Sequence, residues 1–143
     1  MTKNTNLKKY GLLGNNINYS FSKKYFTNKF NEEKRFDCIY ENYDINSIEE
    51  FKRIISDHPI PNGLNVTIPY KKSIIKFLDE LTEEAAEIQA VNTIVFENSG
   101  KIIGHNTDYI GFKKALFEEI NSKPKRALIL GSGGASSAIA YVM

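Results

Sequence analysis

Cysteine is almost missing from this 143-residue chain: Cys38 stands alone. No intrachain disulfide can form, and a lone cysteine inside the apolar run CIY reads as a small buried hydrophobe in a reducing, cytosolic setting. Histidine is scarce too. His58 precedes a proline and His105 ends an apolar run, so no ligand spacing marks a zinc site and no metal is expected. Charge of one sign is also lacking, because 19 basic and 17 acidic side chains give a formal net charge of +2. They are scattered, without the block that would track a phosphate backbone or an anionic membrane, so neither nucleic acid nor membrane is an expected partner. The apolar stretch after Lys3, Lys8 and Lys9 is broken by glycine within a few residues, far short of a signal peptide core or a membrane span. A soluble intracellular protein without repeats or low-complexity tracts is the expectation.

What is present is apolar and aromatic. Hydrophobic residues make up 41% of the chain, with nine Phe and eight Tyr, enough to bury one core. The length suits one domain, or one domain and a fragment of a second, against the usual size of about 100–200 residues.

Strand and helix signals alternate along the sequence. KYGLLG (9–14) is a short apolar run before a polar turn, and Phe21, Tyr25, Phe26 and Phe30 then recur at helical spacing. DCIYENY (37–43) reads as a second strand. Ser47 and Glu50 form a capping box ahead of Ile48, Phe51, Ile54 and Ile55, which share one helix face. LNVT follows the breaker cluster HPIPNG as a third strand, and Pro69 suits the first turn of a helix continuing through KKSIIKFLDEL. Thr82 is placed to cap a short helix with Glu83 and Glu84 in its first turn. VNTIVFE and KIIGHN flank NSG as a hairpin, and a helix from about Thr107 is expected to bury Ile110, Phe112, Leu116 and Ile120. The polar stretch NSKPKR (121–126) marks a boundary. Together these elements predict an α/β fold: an open, mainly parallel sheet with helices on both faces and one antiparallel strand from the hairpin.

Beyond the boundary, ALILGSGGASSAIA combines an apolar strand, a glycine turn and a small-residue helix start. Gly131 and Gly133 stand where a dinucleotide-binding turn requires glycine, but Ser136 holds the third glycine position. No lysine follows, which excludes a nucleoside-triphosphate loop. The stretch therefore fits either a dinucleotide turn or a plain tight strand-to-helix turn. A βαβ unit needs about 30 residues or more, and nineteen remain from Lys125. The expectation is the opening of a cofactor domain, with SSAIAYVM exposed and sticky or disordered.

Four further stretches, YSFS (19–22), NVTIPYK (65–71), AVNT (90–93) and NTD (106–108), put hydroxyl and amide side chains at strand ends, where open α/β sheets hold ligands. Taken singly, Ser20 and Ser22 read as loop hydroxyls or a cap, Asn92 as a strand-edge amide, Asp108 as a helix cap, and Lys71 and Lys72 as solvated charges. In this order, and followed by the glycine turn, they resemble the shikimate dehydrogenase family. The resemblance runs from YGLLGNNINYSFSKKYF through GLNVTIPYKK, AVNTI and GHNTDYIGF to LGSGGASSA, nearly the whole chain.

That resemblance implies a substrate domain over 1–121, then a linker and the first strand and helix start of a truncated Rossmann-type NADP domain over 122–143. By the same resemblance Ser20 and Ser22 hold the substrate carboxylate, and Asn65 and Thr67 line the pocket. Lys71 and Asp108 stand at the reacting hydroxyl, Asn92 binds neighbouring hydroxyls, and Gly131, Ser132, Gly133, Gly134 and Ala135 form the NADP turn. Asn16, Tyr19, Lys23 and Gln89 depart from the proline, histidine, proline and glycine common in the family. The implied activity is NADP-dependent reduction of 3-dehydroshikimate to shikimate by a monomer or homodimer, with a quinate-using relative as the close variant. A non-catalytic shikimate-binding module is the alternative. The chemistry suits the residue types: oxidising a secondary alcohol releases a hydride to the nicotinamide and a proton to a base, and a positioned lysine–aspartate pair handles that proton.

Overall fold

The computed structural model describes residues 7–120, 122 and 124–143. Lys3 and parts of the expected 121–126 boundary lie outside these residues. The first strand, β1 (Lys8–Gly14), sits inside the sheet because LLG is apolar on both faces; Leu12 and Leu13 are both buried. It pairs in parallel with β2 (Cys38–Asp44) on one side and β3 (Gly63–Val66) on the other. β5 (Thr93–Phe96) runs antiparallel to β3 and to β6 (Ile102–His105), and β4 (Glu80–Leu81) pairs in parallel with β6. The order is β2-β1-β3-β5-β6-β4, with β5 opposed to the other five, as the hairpin signal required.

Side-chain alternation assigns the two faces. Leu13, Leu64, Val66 and Ile94 point to one side, where Phe51 and Ile74 complete a core at under 3% exposure. Leu12 and Tyr40 point to the other, beneath α1 (Ser22–Glu32). Phe26 stacks on Tyr40 with ring centroids 4.5 Å apart, and Phe30, one turn on, packs against Tyr10 at 5.9 Å. Phe21 and Tyr25, of the same expected helical set, face outward. The Ser47–Glu50 capping box is formed, with Glu50 Oε1 accepting from the Ser47 N–H at 3.0 Å. It opens a short 3₁₀ turn that leads into α2 (Phe51–Ser56).

Four expectations differ from what is observed. Pro69 starts no helix: the Ile68–Pro69 peptide is cis, and Tyr70 N–H donates to Thr67 O at 2.9 Å. Only Ser73–Phe77 then winds, as 3₁₀, before β4. The edge of β6 explains this, because Asp79 N–H donates to Ile102 O at 2.9 Å and Asp79 Oδ2 accepts from Ile102 N–H at 2.8 Å. A sheet edge outweighs helix propensity worth under 1 kcal/mol per residue.

α4 (Asp108–Glu119) buries none of its residues: Ile110 is exposed, and Phe112, Leu116 and Ile120 are only partly covered. Residues 127–132 form no strand, with Leu128 and Leu130 86% and 87% exposed and no strand edge among the described residues beside them. Conversely, SSAIAYVM is ordered. All of it but Met143 lies within α5 (Gly134–Val142), where Ala138 is fully buried against Ile88 and Ala90, and Tyr141 meets Tyr109 edge-on at 5.3 Å. α3 (Glu83–Ile88), capped by Thr82 as expected, supplies part of that seat.

Candidate functional site

The polar stretches meet where β1, β3 and β6 end. After β1 the chain turns through Asn15–Phe21, held by Asp44 at the end of β2: its Oδ1 accepts from Asn16 N–H at 2.8 Å and Oδ2 from Ile17 N–H at 3.3 Å. Ile17 plugs the core at 1% exposure. This seats Ser20 and Ser22 together, with Ser20 Oγ donating to Ser22 Oγ at 3.1 Å. Asn16 adopts φ 54°, left-handed backbone that asparagine tolerates and that proline's locked ring forbids. The departure from proline is thus built into this loop's shape.

Lys71 follows the turn at Thr67–Tyr70, which is clamped at both ends. Thr67 N–H donates to Leu13 O at 2.9 Å, and the buried Tyr70 hydroxyl donates to Ile45 O at 2.8 Å. Lys71 O accepts from Val91 N–H at 2.7 Å. Its Nζ stands 2.7 Å from Asp108 Oδ2, with side chains only 16% and 32% exposed. Asp108 is the first residue of α4, where a carboxylate complements the helix dipole. Its other oxygen, Oδ1, accepts from Asn92 Nδ2 at 2.8 Å. Asn92 is fixed in turn, since its Oδ1 accepts from Thr107 N–H at 2.8 Å and its N–H donates to His105 O at 3.0 Å. Ammonium, carboxylate and amide therefore form one partly shielded cluster. Its geometry suits binding vicinal hydroxyls and moving a proton at one of them.

Three other expected residues, Asn65, Ser20 and Ser22, sit differently. Asn65 Oδ1 accepts from the Tyr40 hydroxyl at 2.8 Å, on the α1 face, and burial pushes the Tyr40 phenol above its ordinary range, keeping it a donor. Asn65 also rims a groove of about 500 Å³ lined by Tyr10, Phe26, Phe30 and Tyr40, which contains neither Lys71 nor Asp108. The groove is mainly apolar, whereas the converging donors and acceptors lie at the Lys71 cluster, which makes the cluster the candidate site. No hydrogen bond ties Ser20 or Ser22 to that cluster.

Sequence reasoning missed two residues here. Asn106 is a buried polar side chain at 4% exposure: its Nδ2 donates to Ala90 O at 2.9 Å and its Oδ1 accepts from Asp108 N–H at 3.0 Å. The NTD stretch carries the signal, an asparagine two residues before a helix start, where its side chain bonds the backbone ahead. Lys72, read as a solvated charge, donates from Nζ to Ser132 O at 2.9 Å.

The glycine turn is compatible with a pyrophosphate. Gly131 takes φ 117°, and a Cβ on Gly133 would meet open space. α5 begins without a side-chain cap, which leaves its first N–H groups to an anion. Among the described residues, no group of three or more His, Cys, Asp or Glu side chains is arranged to hold a metal ion.

An open, mostly parallel α/β sheet with polar side chains clustered at its strand ends defines a small-molecule-binding α/β domain. The family model for the shikimate dehydrogenase substrate binding domain matches residues 12–94, more than half of the sequence. The chain belongs to the shikimate dehydrogenase family. It is 38% identical over 139 residues to the shikimate dehydrogenase (NADP(+)) of Caldicellulosiruptor bescii, covering 94% of this chain and 48% of that protein. A shikimate dehydrogenase crystallised with NADP+ superposes with a TM-score of 0.84 at 41% identity, covering 97% of this chain and 48% of the other. The Thermus thermophilus enzyme in complex with shikimate gives 0.81 at 31% identity, covering 95% and 52%. The chain thus spans about half the length of these relatives.

Proposed function

We propose that residues 1–121 form a shikimate-binding domain and that 122–143 are a linker and the start of an NADP-binding domain. The complete enzyme would interconvert 3-dehydroshikimate and shikimate in the route to chorismate and aromatic amino acids. The observation that carries this reading is the 2.7 Å Lys71–Asp108 pair with Asn92 on the second carboxylate oxygen. In the reducing direction the Lys71 ammonium gives its proton to the carbonyl oxygen as it becomes a hydroxyl; in reverse the amine takes that proton back. Asp108 orients both the ammonium and the hydroxyl, and Asn92 binds a neighbouring hydroxyl. Ser20 and Ser22 hold the substrate carboxylate, and Thr67 and Asn65 line the pocket wall. When bound along Gly131, Ser132, Gly133, Gly134 and Ala135, NADP supplies hydride chemistry at its nicotinamide. The buried free thiol of Cys38 is in keeping with a reducing cytoplasm.

In a form carrying a complete nucleotide-binding domain, Lys71→Ala should lower turnover about 10²–10⁴-fold while shikimate affinity stays within about tenfold, as for loss of a proton-transfer group. Unchanged turnover would remove Lys71 from its role. A second reading, a shikimate-binding module without hydride transfer, is favoured by the unpaired, exposed Leu128 and Leu130. Joining this chain to a complete nucleotide-binding domain, adding shikimate and NADP and following NADPH absorbance separates the two. A signal supports the dehydrogenase; binding without a signal supports the module.

A further inference from the structure

Gly134 lies against the stem of Lys71. A Cβ at Gly134 would fall 2.6 Å from Lys71 Cβ, 3.2 Å from Lys71 Cδ and 3.3 Å from Ala90 Cβ. Carbon atoms in favourable contact stand about 3.5–4.0 Å apart, so the first distance is deep in the repulsive range. Relief is costly, because Lys71 Cβ is fixed to a backbone whose carbonyl accepts from Val91 N–H, and Ala90 is fully buried. Neighbouring Gly133 shows no such constraint, and Lys72 Nζ reaches Ser132 O just before it. The glycine turn therefore grips the Lys71–Lys72 pair at two points.

We propose that Gly134 is a positioning residue for Lys71: its missing side chain lets the start of α5 press on the lysine stem and hold Nζ against Asp108. The proposal rests on the reading of Lys71 as the proton-transferring group. It gives Gly134 a duty toward the substrate site that is separate from any approach to a pyrophosphate. Helix propensity alone favours alanine over glycine within a helix, so a defect in Gly134→Ala cannot come from that source.

The test is trace acetylation of the 143-residue chain with acetic anhydride, reading the Lys71 rate against exposed Lys24 by mass spectrometry. Gly134→Ala should raise the Lys71/Lys24 ratio several-fold, while Gly133→Ala, which alters the same turn where space is open, should leave it unchanged. An unchanged ratio in folded Gly134→Ala, or an equal rise in Gly133→Ala, overturns the proposal. If Gly134→Ala does not fold, the wild type decides: a nuclear Overhauser cross-peak between Gly134 Hα and Lys71 Hβ supports the contact, and its absence overturns it. Adding shikimate to the wild type checks the underlying reading separately. Without protection of Lys71 that reading fails, whatever the glycine variants do.

Discussion

Replacing Asn106 with alanine removes one buried amide and two hydrogen bonds, and the structure sets the size of the loss. Ala90 O, which accepts from Asn106 Nδ2 at 2.9 Å, belongs to a residue with no exposure, packed with Ile88 and Ala138. An acceptor orphaned there costs about 1–3 kcal/mol. Asp108 N–H, donating to Asn106 Oδ1 at 3.0 Å, sits at the partly exposed start of α4, where water can replace the lost acceptor. That end contributes about 1 kcal/mol, the worth of a helix-start bond. The sum is about 2–4 kcal/mol, which lowers the melting temperature by about 6–12 °C at roughly 3 °C per kcal/mol for a chain of this size. Thermal unfolding followed by circular dichroism reads the shift directly. A variant melting with the wild type would mean that the amide is not bonded as described, and the positioning of Asp108 through it would fall.

Two further outcomes follow from particular side chains. Tyr40→Phe should cost about 1 kcal/mol through the lost bond to Asn65. It should also flatten the alkaline end of the stability curve. Burial raises the folded phenol above its ordinary value of 10.0, so the stability it contributes is intact below pH 10 and falls as pH rises and the unfolded phenol ionises. Urea melts below and above pH 10 compare the two slopes, with Tyr70 and Tyr43, also raised by burial, retaining part of the fall. Gln89 ends α3 at φ 56°, left-handed backbone that glycine adopts without strain, so Gln89→Gly should stabilise by up to about 1 kcal/mol. A lower urea midpoint would contradict this.

Local signals were legible wherever local physics decides. The Ser47–Glu50 box, the Thr82 cap and the hairpin around NSG all form as read, because each depends on residues close in sequence. What distant packing settles was not legible. Residues 69–81 were read as a helix, but the β6 edge captured Asp79 and Glu80–Leu81. The apolar positions of α4 and of 127–130 had the right spacing, yet burial depends on what covers them, and among the described residues little does. In the site, polar stretches at strand ends were legible, but that Lys71, Asp108 and Asn92 act together came from the family resemblance and not from their local sequence. Asn106 was hidden because a buried amide shows its worth only through partners such as the Ala90 carbonyl, 16 residues away. Asn65 was read as pocket lining alone, since nothing local foretold Tyr40 as its partner.

The central claim is that the Lys71–Asp108–Asn92 cluster binds shikimate, and proton–nitrogen correlation NMR on this chain tests it most directly. Titrating shikimate should move the Asn92 side-chain amide and the Ser20, Ser22 and Thr67 backbone amides along one saturable curve, with the response lost in Asp108→Asn. Resonances that stay still, or shifts confined to the Tyr10–Phe26–Phe30 groove, would contradict it.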